Sequence, residues 1–91
     1  MREISISKIA RKFLHRLPSK HERQIIGRVT KLADDPYAPD TQFLKGLKPM
    51  RRADIGEYRI VYEVDATVID VLAVGKRNDS EIYKKLRRMF G

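Results

Sequence analysis

The chain of 91 residues predicts an α+β domain. Three features of the sequence carry that expectation. Apolar residues recur at helical spacing through the first third, the period changes to two after residue 50, and helical spacing returns at the end. The length suits one compact domain, residues 1–91, and leaves no room for two. The expected order is βααβββα, a small antiparallel-rich sheet packed on an N-terminal helical hairpin.

Residues 2–6, REISI, alternate polar and apolar with Ile4 and Ile6 on one face, a short strand. Ser7 offers an N-cap oxygen to the next element. Ile9, Ala10, Phe13, Leu14 and Leu17 share one side of a helix over 8–17, which Pro18 ends. Ser19 and Glu22 have the spacing of a capping box and open a second helix over 20–33. Its apolar stripe is Ile25, Ile26, Val29, Leu32 and Ala33, and Asp34-Asp35-Pro36 stops it. The segment from there to Pro49 is punctuated by Pro36, Pro39, Gly46 and Pro49 and reads as loop. Phe43, Leu44 and Leu47 are expected to pin it to the core.

In the stretch RRADIGEYRIVYEV, residues 51–64, Tyr58, Ile60, Tyr62 and Val64 share one strand face. Arg59, Val61 and Glu63 share the other. With Ile55-Gly56 at the centre of the turn, Gly56 supplies positive φ, and Arg52 is expected opposite Arg59. Residues 67–74, TVIDVLAV, read as an inner strand buried on both faces, reached through a turn at Asp65-Ala66 and broken by Gly75. Asn78 and Glu81 have capping-box spacing, and a last helix is expected over 79–89 with Ile82, Leu86 and Met89 on one side.

Twenty Lys and Arg face twelve Asp and Glu, a formal net charge of +8. Such a charge points to an acidic partner: nucleic acid, an anionic membrane or an acidic protein. There is no cysteine, which excludes disulfides and thiolate metal sites. His15 and His21 are six apart, not the three or four that put two ligands on one helix face, so no metal is expected. No apolar run is long enough to span a membrane. The opening MREISISKIA lacks the apolar core of a secretory signal, so the expected location is cytoplasmic.

Like charges opposite each other on a sheet repel, so a facing Arg52–Arg59 pair asks for an anion between them. Arg59 also sits in an otherwise apolar strand, where a guanidinium needs a partner. Glu63 on its own face or Asp70 on the next strand are the ordinary candidates. With the turn at 65–66, Arg59 pairs with Leu72, and Arg77 lies roughly 16 Å further along the strand at about 3.3 Å per residue. Tyr83 follows in the last helix. Lys45, Lys48, Arg51, Lys76, Lys84, Lys85, Arg87 and Arg88 extend the basic surface, although cations favour a helix C-terminus in any case. Arginines and a tyrosine suffice for RNA cleavage, because RNA brings its own nucleophile, the 2′-OH. The protein then has to align that group with the phosphate and stabilise the added negative charge. Arginine rarely gives up a proton, so it serves as an electrostatic clamp rather than a base.

The segments SKIARKFLHRL, FLKGL, IGEYRIVYEV and VLAVGKRNDSEIYKKL occur in an order that resembles the RelE/ParE superfamily of bacterial toxins from type II toxin–antitoxin systems. The resemblance covers nearly the whole chain, and GEYRIVYEV and VGKRNDSEIY are its most specific parts. It implies a ribosome-dependent endoribonuclease that cuts messenger RNA in the ribosomal A site and so stops translation, with no cofactor. By that resemblance Arg59 holds the phosphate, Arg77 lies near the leaving 5′-oxygen, and Tyr83 stacks a base or assists proton transfer. Arg52 is the basic residue of the preceding strand. The chain departs from RelE ribonucleases there, with Met50 and Arg52 where lysines are frequent and Asp54 at a further basic position, which leaves the general base unassigned. The alternatives are a ParE-like toxin that binds DNA gyrase without catalysis, and an inactive module that binds antitoxin. A cognate antitoxin with an acidic, partly disordered segment is the implied protein partner, beside ribosome and mRNA.

Overall fold

A computed structural model describes residues 1–78 and 80–90. Its elements are β1 (Glu3–Ile6), α1 (Lys8–His15), α2 (Ser19–Asp34), β2 (Thr41–Phe43), β3 (Arg51–Ile55), β4 (Tyr58–Val64), β5 (Val68–Lys76) and α3 (Glu81–Phe90). They form one five-stranded sheet in the order β1-β5-β4-β3-β2. The β1–β5 pair is parallel and the others are antiparallel. The expected α+β class and helical order hold. The additional strand is β2, within the segment expected to be loop: three residues pair with β3, Phe43 opposite Arg51.

Each face of the sheet carries its own core. Ala10, Leu14, Ile25, Val29, Leu32 and Ala33 of the first two helices pack on Ala53, Tyr58, Ile60, Tyr62, Ile69, Val71 and Val74. On the opposite face Ile82 and Leu86 of α3 pack with Leu44, Met50, Val61 and Ala73. Leu44 and the partly buried Leu47 pin the 44–50 loop as expected, but Phe43 is 48% exposed. It pairs with Arg51 and not with the apolar side of the sheet, because β2 is an edge strand with nothing beyond it.

The helix ends also differ from expectation. Ser7 caps α1 as expected, its Oγ accepting from Ala10 N–H at 3.1 Å and donating to the Leu72 carbonyl at 2.7 Å. The helix ends at His15, two residues early, with Arg16 as its C-cap, and Leu17 N–H then bonds the Leu14 carbonyl in a tighter turn. The capping box at Ser19 does not form. Pro18 is the N-cap of α2, with no side-chain cap, and its carbonyl accepts from His21 and Glu22 N–H. Proline's fixed φ already gives the non-helical entry an N-cap needs. The last helix begins at Glu81 rather than at 79. Asp79, the expected first residue, lies outside the described residues.

Tyr62 is fully buried and its hydroxyl donates to the Pro36 carbonyl at 2.7 Å, fastening the exit of α2 to the sheet. Tyr62→Phe leaves that carbonyl unpaired. The expected loss is about 1–3 kcal/mol, read as a lowered urea midpoint at unchanged slope.

Both hairpins turn one residue later than their sequences suggested. Ile55 closes on Tyr58, so Gly56 and Glu57 are the central residues, and only Gly56 has positive φ, +57°. That is the pattern of a II′ turn, which places glycine first. The second turn centres on Ala66-Thr67. Asp65 N–H bonds the Val68 carbonyl at 3.0 Å, and its Oδ1 accepts from Thr67 N–H at 2.9 Å, as turn-initiating aspartates do.

Gly75 does not break β5. It pairs with Arg59 inside the strand, and a Cβ there would stand 3.3 Å from Ile82 Cβ. The glycine admits α3 to the sheet surface. Leu72 is an extra residue in the β4–β5 ladder: Val71 pairs with Tyr62 and Ala73 with Val61. This bulge reverses the alternation. Ile69 and Val71 face the helical hairpin, whereas Ala73 faces α3.

Candidate functional site

The shifted hairpins decide what Arg59 meets. Arg52 pairs with Val61, not with Arg59; Asp54 stands opposite Arg59. The arginine Nε donates to Asp54 Oδ1 at 2.8 Å and Nη2 to Oδ2 at 3.2 Å, a two-point ion pair. Neither Glu63 nor Asp70 is its partner. Arg52 Nη1 approaches Asp54 Oδ2 at 3.6 Å, so the anion expected between two arginines is part of the chain itself. Arg59 Nη1 donates to the Tyr83 hydroxyl. Three of the five guanidinium N–H groups are thus engaged, and two have no partner among the described residues.

These side chains sit at an open cleft of about 530 Å³ lined by Leu44, Lys45, Arg52, Arg59, Tyr83 and Arg87. Its floor is the outer face of β3 and β4, one wall is α3, and the other is the 44–50 loop. Arg59 is held with only 15% of its side chain exposed. Arg77 does not line the cleft. It stands beside the turn, its N–H bonded to the Glu57 carbonyl at 2.8 Å, two residues beyond the partner of Arg59. That is much closer than the expected 16 Å, because Arg59 pairs with Gly75 and not with Leu72. The bulge at Leu72 brings this end of β5 round to the α3 face.

The other basic residues divide. Lys45 and Arg87 join Arg52, Arg59 and Tyr83 at the cleft. Lys76 borders a separate groove between α1 and α3. Lys84 is exposed, 4.0 Å from Glu81 on its own helix. Arg51 and Lys48 go to the aromatic rings of Tyr37 and Phe43 instead. The residue that sequence reasoning left without a role in the site is Asp54. A II′ turn with Gly56 in first place would have set it opposite Arg59.

The Asp54 carboxyl is held below its ordinary value of 3.8, chiefly by the hydrogen bonds from Arg59. Burial opposes this, and the charges of Arg59, Arg52 and Arg77 add to it. Arg59 is raised in turn, first by its bond to Asp54, with Tyr83 helping against burial. A carboxylate depressed in the folded state contributes its full stabilisation above the unfolded value, here 3.8, and loses it as pH falls through the lower folded value. The wild-type urea midpoint should therefore drop more steeply than that of Asp54→Asn once the pH goes below 3.8. Parallel declines would show that the pair adds nothing to folding.

Comparison with known proteins places this geometry in a family context. A family model described as the ParE toxin of type II toxin–antitoxin systems, parDE, matches residues 4–81. A curated relative from Escherichia coli named as a RelE-like toxin protein is 28% identical over 85 residues, which span 89% of this chain and 88% of the relative. Among solved structures, a free arginine double mutant of the Escherichia coli RelE toxin superposes with a TM-score of 0.81 at 22% identity, over 99% of this chain and 98% of that one. The archaeal RelE–RelB complex from Pyrococcus horikoshii gives 0.72 at 28% identity, over 85% and 96%. The RelBE2 toxin–antitoxin complex from Mycobacterium tuberculosis gives 0.74 at 25%, over 84% and 98%.

Proposed function

The chain belongs to the ParE toxin family of type II toxin–antitoxin systems, within the RelE/ParE superfamily, and on that premise we propose that it is a ribosome-dependent endoribonuclease that cuts messenger RNA. The observation that carries the proposal is Arg59, fixed by Asp54 and Tyr83 at an open basic cleft with two N–H groups to spare. A guanidinium held in this way can receive a phosphate without reorganising, which is what electrostatic catalysis requires.

In this mechanism the scissile phosphate enters the cleft and meets the two unengaged N–H groups of Arg59, while Asp54 stays held between that arginine and Arg52. The 2′-OH of the preceding ribose attacks phosphorus and gives up its proton to solvent, and the 5′-oxygen of the next nucleotide leaves and takes one up, so that a 2′,3′-cyclic phosphate and a 5′-hydroxyl form. Arg59 stabilises the charge that builds on the non-bridging oxygens. Arg77 supports the leaving side from beside the turn. The Tyr83 hydroxyl accepts from Arg59 and keeps its own O–H to donate to the phosphate or pass a proton. Asp54 acts as the positioning residue for Arg59. Its lowered pKa makes it a weak base. Lys45 and Arg87 meet flanking phosphates, and Arg51, Lys48, Lys76 and Lys84 lie on the wider basic surface.

A cognate antitoxin is the proposed protein partner. Solved neighbours of this fold are toxin–antitoxin complexes, and a +8 surface favours rapid capture of an acidic segment. Ribosomes and messages put the activity in the cytoplasm.

Two observations favour a second function, the non-catalytic ParE-like binding of DNA gyrase. Asp54 neutralises one of the cleft arginines where the RelE pattern has a basic residue, and the matching family model is that of ParE. Primer extension on messages from cells briefly expressing the chain separates the two. New 5′ ends inside translated codons support the nuclease. Arrested growth with intact messages moves the assignment to gyrase.

A further inference from the structure

On the sheet face opposite the cleft, at its β2 edge, two aromatic rings are exposed, and one of them, Phe43, was expected in the core. Tyr37 is 58% exposed and Phe43 is 48% exposed. One guanidinium serves both: Arg51 Cζ lies 5.2 Å from the Tyr37 ring centroid and 5.0 Å from that of Phe43. Lys48 Nζ stands 5.0 Å from the Phe43 centroid. Arg51 is braced by Thr41, whose Oγ1 accepts from Nη2 at 2.8 Å and donates to the Ala38 carbonyl at 2.7 Å. Its Nε is shielded from solvent and has no hydrogen-bond partner among the described residues. Neither Arg51 nor Lys48 has a carboxylate within 4.0 Å among those residues.

We propose that the Tyr37–Phe43–Arg51–Lys48 cluster is a stacking platform for bases of single-stranded RNA outside the cleft. Exposed rings interleaved with uncompensated cations suit a polyanion that also carries flat apolar faces. The 44–50 loop joins the two places, with Lys45 in the cleft and Lys48 at Phe43. A strand leaving the cleft past Lys45 rounds the sheet edge and meets Lys48 next. The inference rests on the RNA reading of the cleft for the identity of the polymer, but not on cleavage.

The test uses the purified chain and a labelled oligouridylate of about twelve nucleotides with 2′-O-methyl sugars, which lacks the nucleophile. Fluorescence anisotropy at one fixed low salt concentration reads the affinity, and an abasic oligomer of the same length reads the charge contribution alone. Phe43→Ala should weaken binding of the oligouridylate by about 5- to 150-fold and leave abasic binding unchanged. Tyr37→Ala should act in the same direction, and Phe43→Tyr should bind as wild type. Failure of the wild-type chain to bind, or equal affinity for both oligomers, overturns the proposal. So does a Phe43→Ala chain with wild-type affinity, which would assign the cluster to a protein contact. Binding with this pattern in a chain that leaves messages intact would sink the nuclease alone and keep the platform.

Discussion

Arg59→Ala is expected to lower message cleavage by about 100- to 1000-fold, the cost of removing one preorganised charge donor. Primer extension and growth arrest both read it. The substitution also removes the main partner of Asp54, leaving Arg52 at 3.6 Å. Some loss of stability is therefore expected, and it must be separated from loss of chemistry. Arg59→Ala combined with Asp54→Asn removes the uncompensated carboxylate and should regain stability without regaining cleavage. Arg59→Lys keeps a charge but not the fork that engages Asp54 twice and Tyr83 once, so it should stay well short of wild type. Full cleavage by the alanine variant would take Arg59 out of the reaction.

Gly75→Val is expected to disable the site without touching any cleft residue. A Cβ at this position already meets Ile82 Cβ at 3.3 Å and Cδ1 at 3.4 Å, and valine adds two methyl groups to that contact. Overpacking of this kind costs about 1–3 kcal/mol. The strain falls on α3, which carries Tyr83 and Arg87, while the core beneath α1 and α2 keeps its contacts. A shift near 1 Å at a reacting group can cost about 100-fold. Cleavage should fall by that order while the circular dichroism of the sheet and hairpin persists. Ile82→Ala in the same chain should restore much of the loss by making room. Wild-type cleavage by Gly75→Val would show that the seat of α3 does not govern the cleft.

The class of the fold was legible because periodicity is a property of many residues at once. Ile25, Val29 and Leu32 line one helix face whatever the exact ends, and Tyr58, Ile60 and Tyr62 share a strand face under either register. Turn phase was not legible in the same way, since it depends on one glycine. Gly56 fits the second place of one turn type and the first place of another, and the choice moves the partner of Arg59 from Arg52 to Asp54. The face that Arg59 occupies was right; its neighbour was not. β2 escaped notice because three residues between prolines show no period. Phe43 shows the limit of composition: an aromatic residue beside Leu44 reads as core until the sheet edge is known.

The extra residue at Leu72 has a consequence for how this chain tolerates change in length. Upstream of it, β5 alternates in one phase; downstream, in the other. Removing Leu72 itself would leave Val71 opposite Tyr62 and Ala73 opposite Val61, the pairs they already make, and would restore regular alternation with everything beyond still on its present side. Gly75 would keep facing α3, Arg77 would stay beside the turn near Asp54, and α3 would be delivered to the face it now covers. A substitution at Leu72 changes one contact in the smaller core. A single-codon deletion there takes away that contact and the extra residue of the ladder, and leaves the site on the same half of the molecule. In a deletion scan Leu72 should stand out within β5 as the tolerant position, and a loss there as severe as at its neighbours would show that the bulge itself is needed.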